Sequence, residues 1–107
     1  MKIGIIGLGV VGEANRIGFQ SLGHQVSTHD IKYKHSTIQN VIDSDIVFVC
    51  VPTPSNTKGE CDTTIVEGVI NDLVDMKHQG IIAIRSSTVP GFTESMIKKY
   101  PDHKICF

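Results

Sequence analysis

Neither sign of charge prevails in this chain: 10 lysines and arginines face 11 aspartates and glutamates, for a formal net charge of −1. A chain without a basic excess carries no electrostatic footprint for nucleic acid, and none for an anionic lipid surface. No apolar run approaches the ~20 residues of a membrane-spanning helix, and the first residues enter a strand pattern with no signal-peptide core ahead of it. The expectation is a cytoplasmic protein with no membrane and no nucleic-acid partner. Cysteine is scarce and odd in number: Cys50, Cys61 and Cys106 show no C-x-x-C spacing, so neither a disulfide framework nor a zinc site is suggested. Cys50 and Cys106 sit in apolar runs and are expected to be buried, inert thiols. Cys61 lies between Glu60 and Asp62, an acidic setting that opposes thiolate formation. The five histidines are scattered without metal-ligand spacing, so no metal is expected. Repeats and low-complexity tracts are absent, and 107 residues suit one domain that buries roughly 60–70% of its unfolded surface. That length is short for a complete two-substrate enzyme.

What the chain does have is glycine in a telling place. The run Ile3-Gly4-Ile5-Ile6 leads into Gly7-Leu8-Gly9-Val10-Val11-Gly12, a G-x-G-x-x-G arrangement between an apolar strand and a helical pattern. This is the fingerprint of a dinucleotide-binding unit. Gly7 allows the tight turn, Gly9 lets a pyrophosphate approach the backbone, and Gly12 lets the helix pack close to the sheet. The helix start then offers free N–H groups and its positive dipole end to phosphate. After a helical pattern over Ala14 to Leu22, stopped by Gly23, a second strand ends in Asp30, 18 residues beyond Gly12. A carboxylate near that distance hydrogen-bonds the adenine ribose in such units. Taken singly, the glycines could serve an ordinary strand-to-helix turn, and Asp30 a loop or helix cap. Their order favours the fingerprint.

The remainder alternates apolar strands with helical segments. Strands are expected at Lys2 to Ile6, Gln25 to His29, Asp45 to Val51, Gly80 to Ile84 and Lys104 to Phe107. Helices are expected after Gly12, around Ser36 to Ile42, from Asp62 to Lys77 and from Phe92 to Tyr100. In the third of these, Ile65, Val66, Val69, Ile70, Leu73 and Met76 form a broad stripe read as core-facing. Several strands are continuous β-branched runs, as strands covered on both faces require. This alternation predicts an α/β fold, a doubly wound parallel sheet of about five strands in the order 3-2-1-4-5. The longest structureless stretch, Pro52 to Cys61, follows the third strand at the carboxyl edge, where such sheets bind ligands. Prolines on either side of Thr53 fix the backbone there, whether to hold a ligand or to end a strand. Ser86, Ser87 and Thr88 follow the fourth strand and could touch ligand or cap the next turn.

Three segments together carry a resemblance: Gly7-Leu8-Gly9-Val10-Val11-Gly12, Asp45-Ile46-Val47-Phe48-Val49-Cys50-Val51-Pro52-Thr53-Pro54, and Arg85-Ser86-Ser87-Thr88-Val89-Pro90-Gly91. In order and approximate spacing they resemble the N-terminal NAD-binding domain of the UDP-glucose/GDP-mannose dehydrogenase family. The resemblance implies a Rossmann-like fold with NAD as cofactor. Gly7, Leu8, Gly9, Val10, Val11 and Gly12 would hold the pyrophosphate and Asp30 the adenosine ribose, with no arginine after Asp30 to welcome NADP. In the family a basic residue about five positions after that acid helps hold the adenosine. Here that position is His35, leaving Lys34 or Lys32 to substitute. Val51, Pro52 and Thr53 resemble the segment beside the cofactor, and Ser87 and Thr88 the stretch beneath the nicotinamide.

In that family the complete enzyme oxidises the sugar CH–OH of a nucleotide sugar to a carboxylate, through a thioester on a cysteine. The residues that do so are expected beyond Phe107, as are the dimer contacts. Residues 1–107 are accordingly expected to be a dinucleotide-binding domain, truncated relative to the full enzyme. The nucleotide-sugar substrate would then bind through a C-terminal half, with a homodimer in the full-length enzyme. None of the three cysteines is assigned the nucleophile's role. A stand-alone module that senses NAD(H) or an adenine nucleotide without catalysis is the alternative, and a related dehydrogenase completed by a separate chain is another.

Overall fold

The computed structural model describes residues 1–31, 33, 36–55, 59 and 61–107. Among them, strands β1 (Lys2–Ile6), β2 (Gln25–His29), β3 (Ile46–Val49), β4 (Ile81–Ile84) and β5 (Lys104–Cys106) form one sheet. Helices α1 (Val10–Ser21), α2 (Thr64–Asp75) and α3 (Phe92–Lys99) lie between them, and a single 3-10 turn at Ile38–Val41 separates β2 from β3. Every ladder is parallel. The fold class, the strand count and the bounds of β1 and β2 are as the sequence predicts.

The order across the sheet is β2-β1-β3-β4-β5. The strand at Ile46–Val49 thus lies against β1, where an order of 3-2-1-4-5 would put it outside β2. Burial explains the placement. Val47 and Val49 are fully buried, as a central strand requires, whereas β2 reads Gln-Val-Ser-Thr-His and has no buried residue. The polar strand takes the edge and the apolar one the middle. Chain direction across the sheet therefore reverses between β1 and β3, and that is the switch point where a doubly wound sheet opens a crevice at its carboxyl edge.

Alternation along the strands divides the core in two. Ile3 and Ile5 of β1 pack with Leu8, Val26, Phe48 and Phe19 of α1 on one face. The Phe19 and Phe48 rings stack there at 5.0 Å. On the other face Ile6, Val47, Val49, Ile82, Ile84 and Ile105 meet Val66, Ile70 and Leu73 of α2 and Phe92 and Met96 of α3. The predicted stripe on α2 thus faces the core through Val66, Ile70 and Leu73, while Ile65 at its margin is 45% exposed.

Three further expectations change in detail. The segment around Ser36 to Ile42 shortens to one 3-10 turn. Pro52 to Cys61 is not wholly structureless, since Ser55 and Cys61 form an isolated antiparallel bridge. Cys106 is exposed rather than buried, because it alternates with the buried Ile105 on an outer strand. No helix among the described residues is long and apolar enough to cross a membrane.

Candidate functional site

The glycine turn is built by close backbone approach. Gly7 adopts φ 94°, a left-handed conformation that costs an L side chain dearly. Its N–H donates to His29 O at 2.8 Å, and a Cβ at this position would stand 2.7 Å from Cys50 O. A Cβ on Gly12 would collide with the Gly7 carbonyl oxygen. Helix α1 can therefore start directly beneath the turn, at Val10 and not after Gly12, with Gly9 as its N-cap. A Cβ on Gly9 would meet nothing within 4 Å, so the turn is open on the side away from the helix.

Asp30 ends β2 and reaches across to this turn. The Leu8 N–H donates to Asp30 Oδ2 at 2.6 Å, which joins the acid to the middle of the glycine run. Behind it, Asp30 N–H donates to Ser36 Oγ at 3.1 Å, and the same hydroxyl lies 2.6 Å from His29 Nδ1. The end of β2 is thereby held from both sides.

A cavity of about 620 Å³ opens above these elements at the carboxyl edge of the sheet. Gly7, Gly9, Val10, Val11, Asp30, Val51, Pro52, Thr53 and Ser87 line it. Leu8 is buried and contributes its N–H to Asp30, while Gly12 is buried under the turn. Thr88 is half-buried outside the cavity lining, and Lys34, with Lys32 and His35, lies outside the described residues. The structure therefore gathers most of the sequence-predicted residues on one concavity, of a size that suits a large organic ligand.

The segment after β3 is held by side chains as well as by its prolines. The Ser86 hydroxyl lies 2.7 Å from Val51 O and 3.2 Å from Val49 O, so this serine clamps the end of β4 to the segment after β3. It does not cap α3, whose N-cap is Gly91. Cys61 donates its S–H to Ser87 O at 3.4 Å, drawing the far end of the 52–61 loop onto the same rim. Cys50 lines the cavity, and burial pushes its thiol up to about 11 against the opposing pull of Arg85. It is a protonated, unreactive thiol at neutral pH.

Among the lining residues that sequence reasoning missed are Ile65, Val69 and Asp72 on α2, and Arg85 after β4. The cue for the α2 residues was Ile65, Val69 and Asp72 recurring at helical spacing on the margin of the apolar stripe. Among the described residues, no group of three or more His, Cys, Asp or Glu is placed to hold a metal ion.

Residues 30–105 match the profile described as UDP-glucose/GDP-mannose dehydrogenase family, NAD binding domain. The chain belongs to the UDP-glucose/GDP-mannose dehydrogenase family. The match begins at Asp30, so the glycine turn is an independent signal from the sequence before it. Within the family, the chain is 30% identical over 91 residues to UDP-glucose 6-dehydrogenase 1 of Arabidopsis thaliana, covering 80% of this chain and 19% of that protein. It is 30% identical over 61 residues to GDP-mannose 6-dehydrogenase of Pseudomonas aeruginosa, covering 53% of this chain and 14% of that protein. The chain thus spans less than a fifth of the length of these relatives. The UDP-glucose dehydrogenase structure from the archaeon Pyrobaculum islandicum superimposes with a TM-score of 0.80 at 21% identity, covering 97% of this chain and 34% of that one. A ternary complex of Pseudomonas aeruginosa GDP-mannose dehydrogenase gives 0.79 at 24% identity, covering 95% and 31%. These likenesses establish the fold as that of the dehydrogenases, and the family domain is one that takes NAD.

Proposed function

We propose that this chain is the cofactor-binding part of an NAD-dependent oxidoreductase that oxidises the sugar CH–OH of a nucleotide sugar to a carboxylate. The observation that carries the reading is the junction of Asp30 with the glycine turn, both facing one cavity. The residues present fit the cofactor. The open side of Gly9 and the start of α1 accept the pyrophosphate, with N–H groups and the helix dipole directed at it. The Asp30 carboxylate stands on the cavity wall where it would accept from the ribose hydroxyls, and the same charge repels the 2′-phosphate of NADP. The segment Val51-Pro52-Thr53, held by Ser86, forms the wall along the cofactor, and Ser87 with Thr88 supplies the far rim. When bound, NAD supplies the hydride acceptor. This chain's own residues bind and orient it, and none of them is assigned to proton or acyl transfer.

The test is calorimetric titration of the 107-residue chain with NAD, NADP and ADP-ribose in parallel. NAD and ADP-ribose should bind and NADP should not. Asp30→Asn should lower NAD affinity by about 1.5–3 kcal/mol, the scale of a hydrogen bond to a charged group, and admit NADP. Equal affinity of the wild-type chain for NAD and NADP, or no loss on Asp30→Asn, would remove Asp30 from the site.

A further inference from the structure

We propose that the Arg85 guanidinium is the cation that pairs with a ligand's diphosphate lying over the Gly7–Gly9 turn. The inference rests on the reading of this cavity as the NAD site and adds a residue to it. The described lining of the cavity offers such a group. Its lining presents the carboxylates of Asp30 and Asp72, and among the described lining residues Arg85 is its one lysine or arginine. The diphosphate of a dinucleotide is a dianion near neutral pH. Backbone N–H groups and the start of α1 offer it only fractional positive charge.

Arg85 is placed to correct this. Its backbone N–H donates to Val49 O at 2.8 Å, which fixes the residue beside the end of β3. The next residue in β3's path, Cys50, is within electrostatic reach of the guanidinium, and the carbonyl of Cys50 backs onto Gly7. Glycine turn, Cys50 and Arg85 thus stand in sequence across the switch point. The guanidinium is also uncommitted: it makes no hydrogen bond or ion pair among the described residues. Cys50 does not neutralise it, since that thiol stays protonated up to about pH 11.

A dinucleotide and a nucleotide sugar both carry a diphosphate, so the experiment separates them. ADP-ribose, adenosine and UDP-glucose are titrated into the wild-type chain, Arg85→Gln and Arg85→Lys at two salt concentrations. For ADP-ribose, Arg85→Gln should weaken binding about tenfold, the scale of one charge-assisted contact in a partly exposed site, and should flatten its salt dependence. Adenosine binding should not change, and Arg85→Lys should restore most of the loss. Unchanged ADP-ribose affinity in Arg85→Gln, or an equal loss for adenosine, would overturn the assignment. Arg85-dependent binding of UDP-glucose with none of ADP-ribose would keep Arg85 as the diphosphate's partner and overturn the reading of the cavity as the NAD site. A folded wild-type chain that binds none of the three overturns both.

Discussion

A methyl group added at Gly12 collides with the Gly7 carbonyl oxygen, whereas one at Gly9 meets nothing. The two glycines of one motif therefore answer to different demands. Gly12→Ala should destabilise the fold by about 3 kcal/mol, the upper part of the range for overpacking, as read by chemical denaturation. Gly9→Val should cost the fold only about 1 kcal/mol, the scale of an altered N-cap, yet abolish measurable ADP-ribose binding by filling the diphosphate's space. Equal damage to folding by both would make Gly9 a structural glycine. Cys50 offers a second residue-level test. Its thiol, ordinarily near 9.0, is raised to about 11 by burial. The folded state therefore holds the proton more tightly than the unfolded chain, and this contribution to stability is complete below about pH 9 and lost as the pH rises through about 11. Denaturation midpoints of the wild-type chain should fall across that window more steeply than those of Cys50→Ala, and alkylation of Cys50 in the native protein should stay slow until the same window is reached.

Among the elements, β2 and β3 show what a pattern of residues does and does not reveal. The bounds of β1 follow from an apolar run ended by glycine, those of β2 from the helix stop at Gly23 and the acid at Asp30, and the cavity residues after β1 and β3 from recognisable motifs. Neighbours across the sheet were harder to read. Gln-Val-Ser-Thr-His is a passable strand by propensity, and only its want of buried side chains assigns it to an edge. Weighing the polarity of β2 against the Ile-Val-Phe-Val of β3 would have placed β3 in the middle. Arg85 and Asp72 escaped notice for a different reason. Charged residues at the end of a strand or on a helix are ordinary solvated positions, and only the fold turns them toward the cavity. At the start of α2, Asp62 Oδ1 accepts the Thr64 N–H at 2.9 Å and the Thr64 hydroxyl at 2.6 Å. These bonds hold its carboxyl below its usual value of 3.8. A group depressed in this way stabilises the folded state above its ordinary range, and the contribution fades as the pH falls below it. Asp62→Ala should flatten the acid limb of the stability profile, and an unchanged limb would mean that these two bonds contribute nothing.

For the molecule as a whole, binding and stability are coupled. A ligand that enters the crevice of the folded sheet and has no site on the unfolded chain stabilises by about 2.7 kcal/mol at a hundredfold excess over its Kd. In a domain of this size the melting temperature should then rise on the order of 10 °C. NAD and ADP-ribose should produce the shift and NADP should not. A shift with NADP equal to that with NAD would locate binding away from Asp30.

The parallel sheet also dictates how the chain must come together. No two adjacent strands are joined by a hairpin, and the contact of Lys2 N–H with Asp45 Oδ2 spans 43 residues of chain. The crevice that Asp30, Cys50 and Arg85 share cannot be assembled from any local piece, because its parts come from three separate crossovers. Ordering such distant pairs ahead of any reward from local turns slows the search and prolongs the exposure of strand edges. Ligand-binding competence should accordingly arrive only once β1 and β4 have both closed against β3, and serve as a reporter of that long-range assembly in refolding followed by ADP-ribose binding.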